Sequence, residues 1–210
     1  MRQNRVTHRL LRRALYSLLL ISLGLCVQAQ ARNVSRVIID PGHGGKDKGT
    51  HRGSVYEKTL ALKVALKVEA LLKKKGIPVT MTRRTDKFVT LTGRAAIANR
   101  YSNAVFVSIH FNGHTNHKYH GVETYYFGSQ GQKLAAHIHL RLLSNLKIRN
   151  RDTRQRKDLA VLRLTNCPAV LVECAYLSNT YERRRAQRGS YQDACAKAIV
   201  DGIIAYKTYR

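Results

Sequence analysis

The stretch Arg36-Val37-Ile38-Ile39-Asp40-Pro41-Gly42-His43-Gly44-Gly45 decides the fold class. Its β-branched start reads as a strand from Arg36 to Asp40. The Pro-Gly pair then ends it in a turn where glycines on both sides of His43 let backbone and ligand approach closely. A helical period follows, from about Glu57 to Lys75, with Ala61, Val64, Ala65, Val68, Leu71 and Leu72 on one stripe and Lys63, Lys67 and Lys74 opposite. Gly76 and Pro78 stop it. The alternation repeats: strands are predicted at Val79–Thr82, Ala104–Ile109, Gly121–Phe127, Val161–Leu164 and Ala169–Val172, and helices at Leu91–Tyr101, Gln132–Leu146 and Tyr191–Lys207. No Pro/Gly/Ser-rich linker, internal repeat or low-complexity run interrupts it, so residues 32–210 read as one α/β domain.

The N-terminus reads differently. Arg2, Arg5, Arg9, Arg12 and Arg13 precede an apolar run from Ala14 to Val27, and small residues stand at Ala29 and Ala31. That is the pattern of a secretory signal peptide, placed at residues 1–31 with Ala29 as the alternative cleavage point. The run falls short of the roughly 20 apolar residues that a spanning helix needs, so no permanent membrane anchor is expected. Neither twin-arginine export, from Arg12-Arg13, nor lipid attachment at Cys26, which follows the bulky Leu25, is assigned.

Export narrows the reading of the charge. The chain carries 38 basic and 12 acidic residues, a net +26; losing five arginines with residues 1–31 leaves 33 against 12, about +21. Such an excess attracts polyanions of any kind. Outside the cytoplasm an anionic cell-wall polymer is a more accessible polyanion than nucleic acid, and no nucleic-acid partner is expected. The most basic internal stretch holds Lys147, Arg149, Arg151, Arg154, Arg156 and Lys157 between Leu146 and Asp158. It has no aromatic residue for base stacking and reads as a loop that contacts a polyanion or aids solubility. Cys167, Cys174 and Cys195 remain after export, an odd number, and read as small buried hydrophobes. Cys167 and Cys174 would stand about 20 Å apart if extended, beyond disulfide reach.

Three polar residues terminate or follow strands: His43 after the first, His110 after Val105-Phe106-Val107-Ser108-Ile109, and Glu173 after Val170-Leu171-Val172. Open α/β sheets bind ligands at the carboxyl ends of their strands, so the three can converge, and Glu57 joins them at the start of the first helix. Two imidazoles and a carboxylate hold zinc with one position open for water, and a second carboxylate can then act as base. His114, His117 and His120, spaced by three, form a rival set, but Gly113, Asn116 and Gly121 argue for a loop without a ligand role. Glu123 reads as a supporting or structural carboxylate.

Taken in order, Val37–Gly45, Tyr56-Glu57-Lys58, Thr82-Arg83-Arg84-Thr85-Asp86, Arg94 with Ala98-Asn99, Ser108-Ile109-His110-Phe111-Asn112, Gly121–Tyr126 and Pro168–Glu173 resemble the zinc-dependent N-acetylmuramoyl-L-alanine amidases. The resemblance covers nearly all of residues 32–210. It implies a three-layer α/β/α sandwich with a mixed, mainly parallel sheet of about six strands. It implies zinc held by His43, Glu57 and His110, and Glu173 as general base. The substrate would be peptidoglycan, cut between N-acetylmuramic acid and the L-alanine of the stem peptide by an enzyme that is periplasmic or secreted to the cell envelope. Phe111 departs from the small residue often found there. An envelope zinc carboxypeptidase or other metallopeptidase is the alternative, since the same ligand set serves peptide hydrolysis. Some relatives carry a long helical insertion that an activator protein must displace; here Gly128–Lys133 is read as a connection of six residues, too short for such a helix, so no activator is expected to be required.

Overall fold

The computed structural model describes residues 33–208; the expected signal peptide lies outside the described residues. In chain order the elements are β1 (Arg36–Pro41), β2 (His51–Arg52), β3 (Val55–Tyr56), α1 (Glu57–Lys74), β4 (Val79–Met81), α2 (Leu91–Ala98), β5 (Ala104–Asn112), β6 (Val122–Phe127), α3 (Gly128–Leu146), β7 (Asn150–Gln155), α4 (Ala160–Arg163), β8 (Ala169–Tyr176), α5 (Thr180–Ala186) and α6 (Gly189–Thr208). Six strands form one sheet in the order β4-β1-β5-β8-β6-β7. β1 pairs in parallel with β4 and β5, and β5 with β8; β6 then turns antiparallel against β8, and β7 runs parallel to β6. The expected mixed, mainly parallel sheet between helical layers is what forms.

The two layers are unequal. Val37 and Ile39 of β1 point into a large apolar core with α1, α3 and α6, whereas Ile38 points into a smaller one with Phe106, Ala98 and Leu162 under α2 and α4. Both faces of the strand are thus buried, which is why it reads as a continuous apolar run instead of an alternating one. On the thick side, α3 and α6 lie so close that a Cβ on Gly202 would come 2.5 Å from the Ile138 Cα. Glycine there sets the helix spacing.

Three expectations are corrected. Val161–Leu164 is not a strand, because Ala160–Arg163 form the short helix α4. A brief apolar run carries no period long enough to separate the two states. The basic stretch is not a loop: Asn150–Gln155 form β7, an edge strand in register with β6 from Val122↔Asn150 to Tyr126↔Gln155. Its charged side chains suit an edge left without a further partner. Gly128–Lys133 are not a connection either, since α3 starts at Gly128, whose φ of 74° turns the chain straight from β6 into the helix.

Beneath the carboxyl end of β1 lies a buried polar hub. The Asp40 carboxylate, wholly enclosed, accepts hydrogen bonds from Thr82 Oγ1 at 2.6 Å, Ser108 Oγ at 2.7 Å and Arg94 Nη1 at 2.7 Å. Arg94 also donates to the carbonyls of Pro41 and His43, and Arg83 to those of Pro41, Gly42 and Lys58. Two buried guanidinium groups therefore hold the His43 turn by its backbone. Asp40→Asn leaves Arg94 enclosed without its counter-charge and is expected to cost about 3–5 kcal/mol in urea unfolding of metal-free protein, with unchanged m. Lys67→Gln, which breaks the surface pair with Asp193, is expected to cost at most about 1 kcal/mol. Equal costs would show that the hub does not anchor the fold.

Candidate active site

His43 sits in the turn after β1 with φ of 58°, between Gly42 and a Gly44 at 127°. A Cβ on Gly42 would stand 2.3 Å from the His110 ring, and one on Gly49 would stand 2.5 Å from Glu57 Oε2 and 2.6 Å from the His43 ring. The glycines make room for the side chains around them. His110 lies near the end of β5, where the register against β8 shifts between His110 and Asn112; such irregularities re-aim side chains beside active sites. Glu57 is the first residue of α1, presented by the β2–β3 hairpin.

These elements bring three ligating atoms together. Glu57 Oε1 lies 3.0 Å from His43 Nε2 and 2.8 Å from His110 Nδ1, and the ligating atoms of the trio lie within 4.8 Å of one another. The same oxygen accepts the Phe111 amide, while Oε2 accepts the Thr50 amide, which fixes the carboxylate. Asp47 Oδ2 lies 2.8 Å from His43 Nδ1, leaving Nε2 to face the centre. Burial opposes the charge on Glu57, yet hydrogen bonds and attraction from His110 and His43 win and bring its pKa down to about 2. Burial likewise works against a charged His43, but Glu57 and Asp47 outweigh it and raise its pKa. Two imidazoles and one carboxylate at this spacing, with a carboxylate behind one imidazole, could hold a metal ion, and their chemistry fits a three-residue zinc site.

Glu173 stands beside this trio. On β8 it is paired with His110 of β5 on one side and with Glu123 of β6 on the other. It is 9% exposed, and its Oε2 has no hydrogen-bond partner among the described residues. Burial, together with the nearby Glu57 and Glu123 carboxylates, holds its pKa well above the ordinary carboxyl range. Glu123 by contrast is fully engaged: Asn112 and Tyr125 donate to Oε2 and Arg151 to Oε1. A small pocket of about 90 Å³ opens next to His43 and His110 against Phe88, Val89, Leu91 and Val161. Larger clefts, about 560 Å³ near Tyr101 and about 740 Å³ between α1 and α6, hold no ligating cluster.

All four residues singled out from sequence, His43, Glu57, His110 and Glu173, are thus at one place. His114, His117 and His120 are not in the trio; they lie in the loop after β5, where His114 stacks on Tyr119 at 3.8 Å and His117 approaches Arg52. Sequence reasoning missed Asp47, whose only signal is a carboxylate four residues after His43 inside a glycine-rich turn. It also missed the pairing of Arg151 with Glu123, which requires β7 to be a strand. Among the described residues no disulfide forms: Cys174 and Cys195 are buried and Cys167 half-buried, all as free thiols.

Comparison with known proteins places this geometry. The chain is 36% identical over 174 residues to the "Probable cell wall amidase LytH" of Staphylococcus saprophyticus subsp. saprophyticus, covering 81% of this chain and 57% of that protein; it thus spans little more than half of that relative's length. The structure of N-acetylmuramoyl-L-alanine amidase from Clostridium difficile 630 superposes with a TM-score of 0.79 at 38% identity, covering 83% of this chain and 97% of that one. The CwlD amidase from Clostridioides difficile, solved in complex with the GerS lipoprotein, superposes with a TM-score of 0.78 at 33% identity, covering 82% of this chain and 98% of that one. The family profile described as N-acetylmuramoyl-L-alanine amidase, Amidase_3, matches residues 37–205. Spanning every strand of the sheet and all four converging side chains, that match shows that the chain belongs to the Amidase_3 family of N-acetylmuramoyl-L-alanine amidases.

Proposed function

We propose that this chain is a zinc-dependent amidase of the cell envelope that hydrolyses the amide between N-acetylmuramic acid and L-alanine in peptidoglycan. The observation that carries the reading is the convergence of His43, Glu57 and His110 with a buried Glu173 whose Oε2 is unpartnered. Family membership and the names of the relatives support it. Residues 1–31 are proposed to be the export signal and the following residues the catalytic domain; no described helix is long and apolar enough to cross a membrane. The excess of basic residues is proposed to add attraction to anionic wall polymer. We propose further that no activator is needed, because α3 leaves β6 directly at Gly128 without an inserted helix.

His43, Glu57 and His110 would hold the metal, and Asp47 would keep His43 in the tautomer that leaves Nε2 free. When bound, zinc supplies Lewis-acid polarisation of the scissile carbonyl and acidifies a water. Glu173 takes the proton of the attacking water and passes it to the departing amine nitrogen, for which a carboxyl of raised pKa is suited. Glu123 stays anchored by Asn112, Tyr125 and Arg151 and keeps the β6 side of Glu173 in place.

Mass spectrometry of sacculi digested by the purified, zinc-loaded protein alone is expected to show intact stem peptides released from glycan. Release of terminal amino acids only would establish a carboxypeptidase instead, and activity that appears only after adding a partner protein would remove the activator-free reading. Glu173→Gln is expected to retain zinc and lose about 10²- to 10⁴-fold in turnover; loss of metal in that variant would make Glu173 a ligand.

Proton competition gives a second check. The raised pKa of His43 stabilises metal-free protein below the ordinary histidine value near 6.5 and this is lost as pH rises through the raised value. The lowered pKa of Glu57 stabilises it above the ordinary 4.5 and this is lost as pH falls towards about 2. Both contributions coexist between about pH 4.5 and 6.5. Zinc has to displace the His43 proton in that window, so its affinity, read by competition with a chromophoric chelator, is expected to fall about tenfold per pH unit below the His43 pKa. An affinity flat from pH 7.5 to 5 would remove His43 from the ligand set.

A further inference from the structure

The edge strand β7 and the residue that follows it place three arginines beside the site, Arg151, Arg154 and Arg156, and they are not equivalent. Arg151 is committed: its Nε donates to Glu123 and its guanidinium lies 4.3 Å over the Tyr119 ring. Arg156 is committed as well, with two nitrogens on Asp158 and a stack over Tyr125. Arg154 is different. Its side chain is 55% exposed, it donates no hydrogen bond among the described residues, and its nearest charge is Glu123 Oε1 at 4.0 Å, too long for one.

Its position follows from the register. Arg154 pairs with Tyr125 of β6, which pairs with Leu171 of β8, so the side chain stands on the sheet face that carries Glu123 and Glu173. Glu123 and Glu173 are direct cross-strand partners, whose Cα atoms lie about 5 Å apart. The Arg154 guanidinium therefore reaches to within about 10 Å of Glu173, the length of about three extended residues at ~3.3 Å each. The small pocket beside His43 and His110 is lined by other residues, Phe88, Val89 and Leu91 among them. Of the three arginines on the β7 flank, Arg154 alone keeps its guanidinium free of a hydrogen bond among the described residues.

We infer that Arg154 is a specificity-determining residue that receives a carboxylate of an acidic peptide, two to three residues beyond the scissile amide. The inference rests on the amidase reading above. N-acetylated sugars carry no charge, so the anionic part of an N-acetylmuramoyl peptide is the peptide, and it is the part that runs along the β7 side. A guanidinium with all its donors uncommitted matches a carboxylate in bidentate fashion.

The test uses zinc-loaded protein and soluble N-acetylmuramoyl peptides that differ only in a free carboxylate or a carboxamide on the second or third residue. Wild type is expected to prefer a carboxylate at one of these positions by about tenfold in kcat/KM, mostly through KM. Arg154→Gln is expected to bring that ratio to about one, Arg154→Lys to keep part of it, and Arg141→Gln, on α3 in the opposite layer, to keep all of it. Wild type cleaving both members of each pair equally overturns the inference and leaves the amidase reading standing; wild type cleaving none of them overturns both. A ratio that Arg154→Gln leaves intact, with weakened retention on sacculi, overturns it in favour of contact with a long anionic polymer.

Discussion

Everything at the catalytic end of this sheet hangs on one enclosed ion pair, Asp40 with Arg94. The charges are buried, so the pair is costly unless every lone pair is answered, and here Thr82 and Ser108 answer the rest of the carboxylate. Arg94 gives its remaining donors to the Val89, Pro41 and His43 carbonyls, and Arg83 also donates to those of Pro41 and Gly42. The turn's shape is imposed through backbone carbonyls, and that shape puts His43 within reach of Glu57 and His110. The spacing of His43, Glu57 and His110 is therefore a consequence of a hydrogen-bonded hub one layer below them.

Much of this was legible in the sequence, and the reasons are specific. β1 and β5 are buried on both faces and so appear as unbroken apolar runs, and α1 shows its stripe across 18 residues. The site residues were visible because each stands where such a run stops or a helix starts. Where the pattern had no apolar signal, it failed. β7 is made of Asn, Arg, Asp, Thr, Arg and Gln and owes its strand to hydrogen bonds with β6, which sequence period does not record. Val161 and Leu162 of α4 are too short a run to declare a period. Asp47 is a turn carboxylate like many others until the fold brings it to His43.

The edge strand shows how one set of residues meets two physical demands. An open sheet edge invites pairing with another chain, and charged side chains discourage it. On β7 the same arginines are also built into the site: Arg151 closes the hydrogen bonding of Glu123, which lies across from Glu173. Neutralising the edge to suit a different partner would loosen the carboxylate paired with Glu173.

The unequal layers described above have a mechanical consequence. Three long helices brace one face of the sheet, while the other is covered by α2 and the single turn of α4, with a pocket of only about 90 Å³ beside His43 and His110. A deep cleft would suit a small molecule that diffuses in; a cross-linked wall is a solid and does not. On the proposed wall substrate, His43 and His110, with side chains 22% and 16% exposed, would be the groups that face a fixed mesh, and the helices behind the sheet would hold them in place under that contact.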